Sequence, residues 1–406
     1  SLSSAQIGFL ASSTYIGYLF GAFCAGTVGD LVGRKKVMMT ALAIYTIASL
    51  LCVLVDGSQA FFALRLIAGF GTGAESAIIA PYLAEFVGKR YRGQFTGSLA
   101  GFFSFGYVLA AVLGYVILGQ RWGSYKTLLI ITALPIVMVL WWRRALPESP
   151  RWLESQGKTV AAQHIVSRIE ADIVRDGHTL EPITVAPPAP HFATRATLWG
   201  NLSMLWTGKL ARVTAVSWYL WIAVAFSYYA FFTWIPSLLV QNGMTITKSF
   251  AFSVAIYGAQ IPGYFSAAFL NERLGRQRVI GFYLILGAVF AGALAIATTE
   301  RQIIMAAMGL SFFMNGSFGG LYAYTSEVFP TRIRATGMGT SSSIGRLGAI
   351  GAPILVGMVF PVLGFGGVFG TTMVALITGA VIVLMFGVQT KGRSLEDIAP
   401  EKAGSS

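Results

Sequence analysis

The sequence predicts an all-α integral membrane protein assembled from two copies of one unit, and two observations carry this. The 406-residue chain is 55% hydrophobic and 11% charged, with a mean hydropathy of +0.68, where a soluble domain carries about 25% charged residues. A charged phrase, Gly33, Arg34, Lys35, Lys36, Val37, recurs 242 residues on (33 to 275) as Gly275, Arg276, Gln277, Arg278, Val279. A second phrase keeps the same offset: Tyr82, Glu85, Arg90 and Arg92 recur as Tyr324, Glu327, Arg332 and Arg334.

Between these phrases lie apolar stretches of about 20 to 28 residues, the length a helix rising ~1.5 Å per residue needs to cross a ~30 Å hydrocarbon core. Spans are expected at 5–28, 37–55, 59–87, 94–118, 125–146, 211–240, 248–270, 279–298, 302–328, 335–360 and 364–388. Eleven spans is an odd number for two equal halves, and the offset explains it: the partner of 211–240 would fall ahead of residue 1. One further span is therefore expected upstream, in keeping with the absence of an initiating Met and with the polar opening Ser1 to Gln6. The expected organisation is an N-terminal bundle over 1–146 lacking its first span, a linker over 147–210, a six-helix C-terminal bundle over 211–390 and a tail over 391–406.

Orientation follows from the basic residues, because Lys and Arg concentrate on the cytoplasmic side. Of the 29, 23 sort to the side of the two repeated loops and the C-terminus, four (Arg121, Lys126, Lys248, Arg301) sort to the other, and Arg65 and Arg346 fall inside spans. The repeated loops and the tail are expected in the cytoplasm. The net charge of +13 is thus a topology signal; nucleic-acid binding would need a basic soluble domain.

The linker carries Val160, Ile165, Val166, Ile169 and Ile173 at amphipathic-helix spacing over Lys158 to Arg175, then a Pro-rich stretch from Pro182 to Pro190. Leu198, Trp199, Leu202, Leu205 and Trp206 follow as an apolar stripe suited to the membrane surface. His164, His178 and His191 stand at spacings that make no metal site, and Cys24 and Cys52 lie in apolar spans, where packing is the expected role. Gly69, Gly71 and Gly73 imitate a nucleotide loop but sit mid-span with no preceding strand, so close helix packing is expected there, as at Gly93, Gly97 and Gly101.

Gly26, Asp30, Gly33 and Arg34, with Glu272, Gly275 and Arg276 in the second copy, resemble the loop motif of the major facilitator superfamily. Where that pattern places Arg after the loop Asp, this chain has Leu31. Arg65 followed by Gly69, Gly71 and Gly73 is similar to the same superfamily's fourth-span motif. Pro147, Glu148, Ser149, Pro150, Arg151 and Trp152, with Thr390, Lys391, Gly392 and Arg393, resemble sugar-porter motifs that extend beyond sugar transport. Over nearly the whole chain, and most densely at Ser227 to Pro236, Gln260 to Leu270, Gly320 to Gly337 and Gly345 to Gly348, the sequence resembles the bacterial niacin permease branch, related to synaptic-vesicle-like organic-ion transporters. The resemblance implies the major-facilitator fold: two six-helix bundles around a central cavity, working by alternating access as a multi-pass protein of the bacterial inner membrane.

Charges in hydrocarbon mark the cavity. An ionisable group at the bilayer centre costs at least ~2.5 to 3.5 kcal/mol and persists where it is paired or lines a wet path. Arg346 lies about eleven residues into its span, ~16 Å from the cytoplasmic end at 1.5 Å per residue. Glu75 is similarly central, and Arg65 is nearer the outer surface, where it either pairs with Glu75 or stands apart from it. An Arg fork matches a carboxylate in bidentate geometry. Tyr228, Tyr229, Phe232, Tyr264 and Phe102 lie near the middle of their spans, as do the amides Gln260 and Asn315. Together they describe a pocket for a small, flat organic anion, which the resemblance narrows to nicotinate: carboxylate on Arg346, ring on the tyrosines, pyridine nitrogen on an amide.

A carboxylate lining such a path can load and release a proton, so Glu75, with Arg65, is the expected proton-coupling site. Asp30, Gly33, Arg34, Glu85 and Arg92, with Glu272, Arg276, Glu327 and Arg334, are expected to form a cytoplasmic gate of interdomain or loop ion pairs when the transporter faces outward. Drug export is disfavoured because 94–118 holds no Pro, and sugar symport because 211–240 lacks paired glutamines. A transporter-like sensor would need a signalling motif. No nucleophile, metal or cofactor motif supports an enzyme, and the expected partners are a small aromatic or organic carboxylate, protons and the lipid bilayer around a monomer.

Overall fold

The computed structural model describes residues 3–87, 92–118, 120, 124–134, 136–177, 198–330 and 333–389. All regular structure among them is helical. The first half holds α1 (Ser4–Val32), α2 (Arg34–Leu51), α3 (Ser58–Phe86), α4 (Arg92–Leu118), α5 (Tyr125–Thr132) and α6 (Ile136–Ala145). Three helices of the linker follow: α7 (Pro150–Ser155), α8 (Thr159–Arg175) and α9 (Leu198–Leu205). The second half holds α10 (Gly208–Gln241), α11 (Ile246–Gly258), α12 (Gln260–Leu274), α13 (Arg276–Ala295), α14 (Glu300–Val328) and α15 (Arg334–Phe386).

Among the described residues, six helical stretches are each long and apolar enough to cross a membrane: Ser4–Ala25, Ser58–Ile79, Gly208–Gln241, Arg276–Ala295, Glu300–Val328 and Thr336–Phe386. The other expected spans fall on α2, on α4, and on the pairs α5/α6 and α11/α12. Each pair is one predicted span with an interruption. In the second pair the cause is Pro262, which has no N–H to donate four residues back. The last two expected spans form the opposite case, since α15 runs through both with a single non-helical residue, Gly364 (φ 63°, ψ −161°). Large apolar side chains such as Phe23, Ile296 and Val362 are about four-fifths exposed, as lipid-facing residues are.

Helix boundaries repeat at the sequence offset. α1 begins at 4 and α11 at 246; α1 ends at 32 and α12 at 274; α3 covers 58–86 and α14 300–328; α4 begins at 92 and α15 at 334. Local chemistry repeats as well. Ser3 accepts from the Gln6 N–H to cap α1, and Thr245 accepts from the Lys248 N–H to cap α11. Between α1 and α2, and again between α12 and α13, the chain turns on one residue, Gly33 (φ 105°) or Gly275 (φ 89°), a conformation that a Cβ disfavours. α1 packs on α3 so closely that a Cβ at Gly21 would meet the Phe70 carbonyl oxygen at 1.9 Å, and a Cβ at Gly263 would meet that of Phe312 at 2.2 Å. Gly69, Gly71 and Gly73 line the same kind of seam, against Thr14, Ala41 and Tyr18. The side chains at Gly93, Gly97 and Gly101 positions, and His178, His191 and Pro182 to Pro190, lie outside the described residues.

In the linker, α8 forms over the expected amphipathic segment, and Trp152, Leu153 and Ala162 bury together against Ile165. The apolar stripe at 198–206 is only partly a surface feature: Leu205 is fully buried in the second-half core, and Trp206 stands half exposed against Trp218. Cys52 is buried and Cys24 partly so, both free thiols.

The halves touch unevenly. The contacts across them centre on α1 and α4 of the first half. A Cβ at Gly8 would meet the Pro353 carbonyl oxygen at 2.4 Å, and Ser12 Oγ donates to the Ile350 carbonyl at 2.7 Å. Gly114 packs on the Phe250 ring and Gly357 on Ser4. Thus α1 meets the first limb of α15 as α11 and α12 meet α4, the same crossing in both copies. Towards the Gly33 and Gly275 end, α2 packs chiefly on α1, α3, α5 and α6 of its own half and α13 on α12, α14 and α15 of the other.

Candidate functional site

The contacts between the halves stop at the level of Arg346. Its Nη2 donates to the Tyr18 hydroxyl at 3.2 Å, and its guanidinium carbon lies 4.2 Å from the centroid of the Tyr18 ring. Tyr229 also hydrogen-bonds it, Tyr322 is a further electrostatic neighbour, and no described carboxylate pairs with it. One copy earlier the pattern recurs with uncharged groups. Ser104 stands 242 residues before Arg346 and Tyr18 the same distance before Gln260 (104 to 346, 18 to 260). Ser104 Oγ accepts from Asn315 Nδ2 at 3.2 Å, and Asn315 Nδ2 also donates to the Gln260 carbonyl at 2.8 Å. The Tyr228 hydroxyl donates to Gln260 Oε1 at 3.2 Å, and the buried Gln260 Nε2 has no partner.

Aromatic rings close the space above this level, towards the Ser4 end. Tyr228 packs on Phe232 (4.4 Å between centroids), on Tyr229 (5.3 Å) and on Phe318 (5.1 Å). Tyr107 of α4 reaches Tyr228, Phe232 and Tyr257, all at about 6 Å, binding the first half to the second. Tyr15 of α1 packs its ring edge on Tyr229 at 4.6 Å, and its hydroxyl lies 2.9 Å from Thr233 Oγ1. Tyr264 is half buried beside Gly319 and within electrostatic reach of Tyr322.

The structure therefore brings Arg346, Tyr228, Tyr229, Phe232, Gln260, Tyr264 and Asn315 to one region and leaves Phe102 out of it. Ser104, Tyr107 and Ala111 mark the face of α4 turned to the second half. Phe102, with Phe105 and Leu109, lies on the opposite face; its ring is 68% exposed and touches Phe105 on its own helix. Depth along a span carries no information about which face a residue takes. Tyr15, Tyr18, Tyr107, Tyr257 and Tyr322 were not singled out from sequence. The signal for Tyr18 was present, because it is the counterpart of Gln260 at the offset.

Glu75 lies on α3, partly buried, with no cation paired to it among the described residues. Arg65 instead stacks on the Phe61 ring at 5.3 Å, and both it and Glu75 act on Tyr45. The two are ten positions apart on one helix, ~15 Å at 1.5 Å per residue, too far to neutralise each other directly.

Among the expected gate residues, two pairs form, each within one half. Arg34 Nε lies 3.5 Å from Glu85 Oε1, and Arg276 Nε lies 2.9 Å from Glu327 Oε1. Each arginine also reaches back to the preceding helix, donating to the Gly29 carbonyl at 2.8 Å or the Asn271 carbonyl at 3.3 Å. Both are loop pairs inside one copy, one of the two forms expected, and each arginine finds its acid at the end of the next helix. The side chains of Asp30, Arg92, Glu272 and Arg334 lie outside the described ones. Glu148 of the linker adds a brace at the first loop: its Oε1 accepts from the Lys35 N–H at 3.1 Å and the Ser149 N–H at 3.0 Å.

Among known proteins, the family described as "Sugar (and other) transporter" matches residues 1–401. The chain is 34% identical to the niacin transporter NiaP of Acinetobacter baylyi, covering 98% of this chain and 89% of the relative. It is 31% identical to a Bacillus subtilis protein named as a putative niacin/nicotinamide transporter, with 98% and 90% covered. Among solved structures, the partially occluded, inward-open xylose transporter XylE of E. coli superposes with a TM-score of 0.75 at 17% identity, covering 97% of this chain and 91% of that one. Another inward-open structure of XylE gives 0.76 at 18% identity, with 98% and 90% covered.

Proposed function

This chain belongs to the sugar (and other) transporter family of the major facilitator superfamily, and from that premise we propose that it carries nicotinate, or a closely similar small aromatic carboxylate, into the cell with protons. It is a multi-pass membrane transporter, not an enzyme. In this reading it sits as a monomer in a bacterial inner membrane with the Gly33 end and the C-terminus in the cytoplasm.

The observation that carries the reading is Arg346. A guanidinium at mid-span, on the line where the halves part, with hydroxyls around it and no described acid against it, is a receptor for an anion that comes and goes. The tyrosines beside it offer flat faces to a ring, and the unpartnered Gln260 Nε2 offers an N–H to a ring nitrogen. The niacin transporters among the relatives supply the substrate name; the likeness to a xylose transporter is one of fold alone. Alternating access is supported by the one-sided packing, closed at the Ser4 end and parted at the other.

Uptake into proteoliposomes, with nicotinamide, benzoate and hexoses as competitors, separates this reading from sugar symport and from a sensor that binds without translocating. Arg346→Ala should abolish nicotinate binding, and Arg346→Lys should weaken it by keeping charge while losing the fork. Normal binding by Arg346→Ala would remove the carboxylate role. Glu75→Gln should still bind and exchange substrate but lose accumulation driven by an inward proton gradient; full gradient-driven accumulation would move coupling to another residue.

A further inference from the structure

Resting on the assignment of Arg346 to the substrate carboxylate, we infer that Tyr18 is the residue that positions the Arg346 fork and sets the preference for a carboxylate over the carboxamide of the same ring. Tyr18 belongs to the first half and Arg346 to the second, so the grip on substrate is built from both.

Proton bookkeeping fixes the direction of the contact. Ser76 Oγ has one hydrogen and donates it to the Gly73 carbonyl at 2.9 Å. Only its lone pairs then face Tyr18, whose hydroxyl is hydrogen-bonded to Ser76, so the tyrosine must be the donor of that pair. The Tyr18 oxygen is left with its lone pairs for Arg346 Nη2. A directed chain results: Arg346 to Tyr18, Tyr18 to Ser76, Ser76 to the Gly73 carbonyl. The backbones beneath it are in contact, since a Cβ at Gly73 would lie 2.1 Å from the Tyr18 carbonyl oxygen. Tyr18 is thus anchored through both its side chain and its main chain.

Two freedoms of a long arginine are removed by this anchor. The ring beneath the guanidinium fixes its plane, with the cation 4.2 Å from the centroid. The hydroxyl takes one N–H and fixes rotation within that plane. The Tyr229 hydroxyl takes another N–H, so of the five donors of a guanidinium three remain, and a carboxylate needs two parallel ones. A carboxamide offers one acceptor and sets its own N–H groups against the other donor. A fixed fork rejects that mismatch, whereas a loosened one rotates to accommodate it.

The test is nicotinate uptake by reconstituted wild-type protein and by Tyr18→Phe, Ser76→Ala, Tyr18→Leu and Arg346→Ala, reading KM, Vmax and competition by nicotinamide. Tyr18→Phe keeps the ring and loses the hydroxyl, so KM should rise about fivefold, the worth of one hydrogen bond, with Vmax little changed. Ser76→Ala should move KM in the same direction by less. Tyr18→Leu should raise KM further and narrow the preference for nicotinate over nicotinamide by about tenfold, with stacking and hydrogen bond both gone. If Vmax falls in these variants while KM and the preference hold, Tyr18 is merely a strut between the halves and the inference is overturned. It is overturned equally if Arg346→Ala loses binding and every Tyr18 and Ser76 variant keeps wild-type KM and preference. Normal binding by Arg346→Ala would instead overturn the carboxylate reading beneath it. Should Tyr18→Leu fail to fold, Tyr18→Phe and Ser76→Ala decide, as both nearly conserve volume.

Discussion

Gly106 and Gly263 are both helical glycines, yet a methyl group has opposite consequences at the two. A Cβ at Gly106 meets nothing within 4 Å, while one at Gly263 would meet the Phe312 carbonyl oxygen at 2.2 Å. Gly106→Ala should therefore be neutral or stabilising by up to about 1 kcal/mol, the helix-propensity gain. Gly263→Ala must push α12 off α14 and should cost about 1 to 3 kcal/mol, as overpacking does; thermal unfolding in detergent measures both. The sequence revealed which residues break the rules of hydrocarbon, and so Arg346, Glu75 and the glycine run were legible. It did not reveal which way an ordinary aromatic points. Phe102 and Tyr18 are equally unremarkable as residues of apolar spans, and only the rotation of their helices separates an outward ring from one that meets a guanidinium.

At the scale of elements, the two loops between paired helices are held by unequal means. In the first copy the Glu148 carboxylate caps the start of α2. In the second copy Gln277 Nε2 donates to the Val383 carbonyl at 2.9 Å, and the Tyr324 hydroxyl accepts from the Val388 N–H at 2.9 Å, so the chain after α15 braces the loop. Tyr82, the counterpart of Tyr324, donates to the Pro147 carbonyl at 2.7 Å. Glu148→Gln should cost about 1 kcal/mol, the worth of a charged cap at a helix N-terminus, and Gln277→Ala should leave the first loop untouched. Hydrogen exchange at Lys35 and at the residues after Phe386 would report each loop separately. The Arg276 and Glu327 side chains are about a quarter exposed, so a double-mutant cycle on that pair should return a coupling of no more than about 1 kcal/mol. The pairing partners of these loops were legible as repeated charges, but whether they pair within or across halves depends on how far the halves stand apart, which no local pattern encodes.

For the whole molecule, tight packing at the Ser4 end and separation at the Gly33 end describe one side of a two-state equilibrium. Cysteines placed at Ser12 and Ile350 and bridged by a short cleavable reagent should stop uptake, and cleaving the bridge should restore it. Unimpaired uptake by the bridged protein would mean that this seam never opens. The helices needed for this motion were legible from length and hydropathy. The interruption at Pro262, and the single run of α15 through Gly364, were not, because hydropathy averages over the backbone breaks that one residue makes.

The agreement of most helix boundaries between the copies has a further consequence for what the chain can tolerate. Inserting one residue into a helix turns everything beyond it by ~100° and advances it by ~1.5 Å. A single alanine added after Tyr18 would therefore swing Gly21 out of its seam and carry the Gly33 turn out of step with Gly275. The same alanine added within 178–197, in the linker that belongs to neither copy, shifts no paired feature. Length is thus a conserved quantity inside each copy and a free one between them, and growth or uptake assays on the two insertions should differ as sharply as a loss of function differs from none.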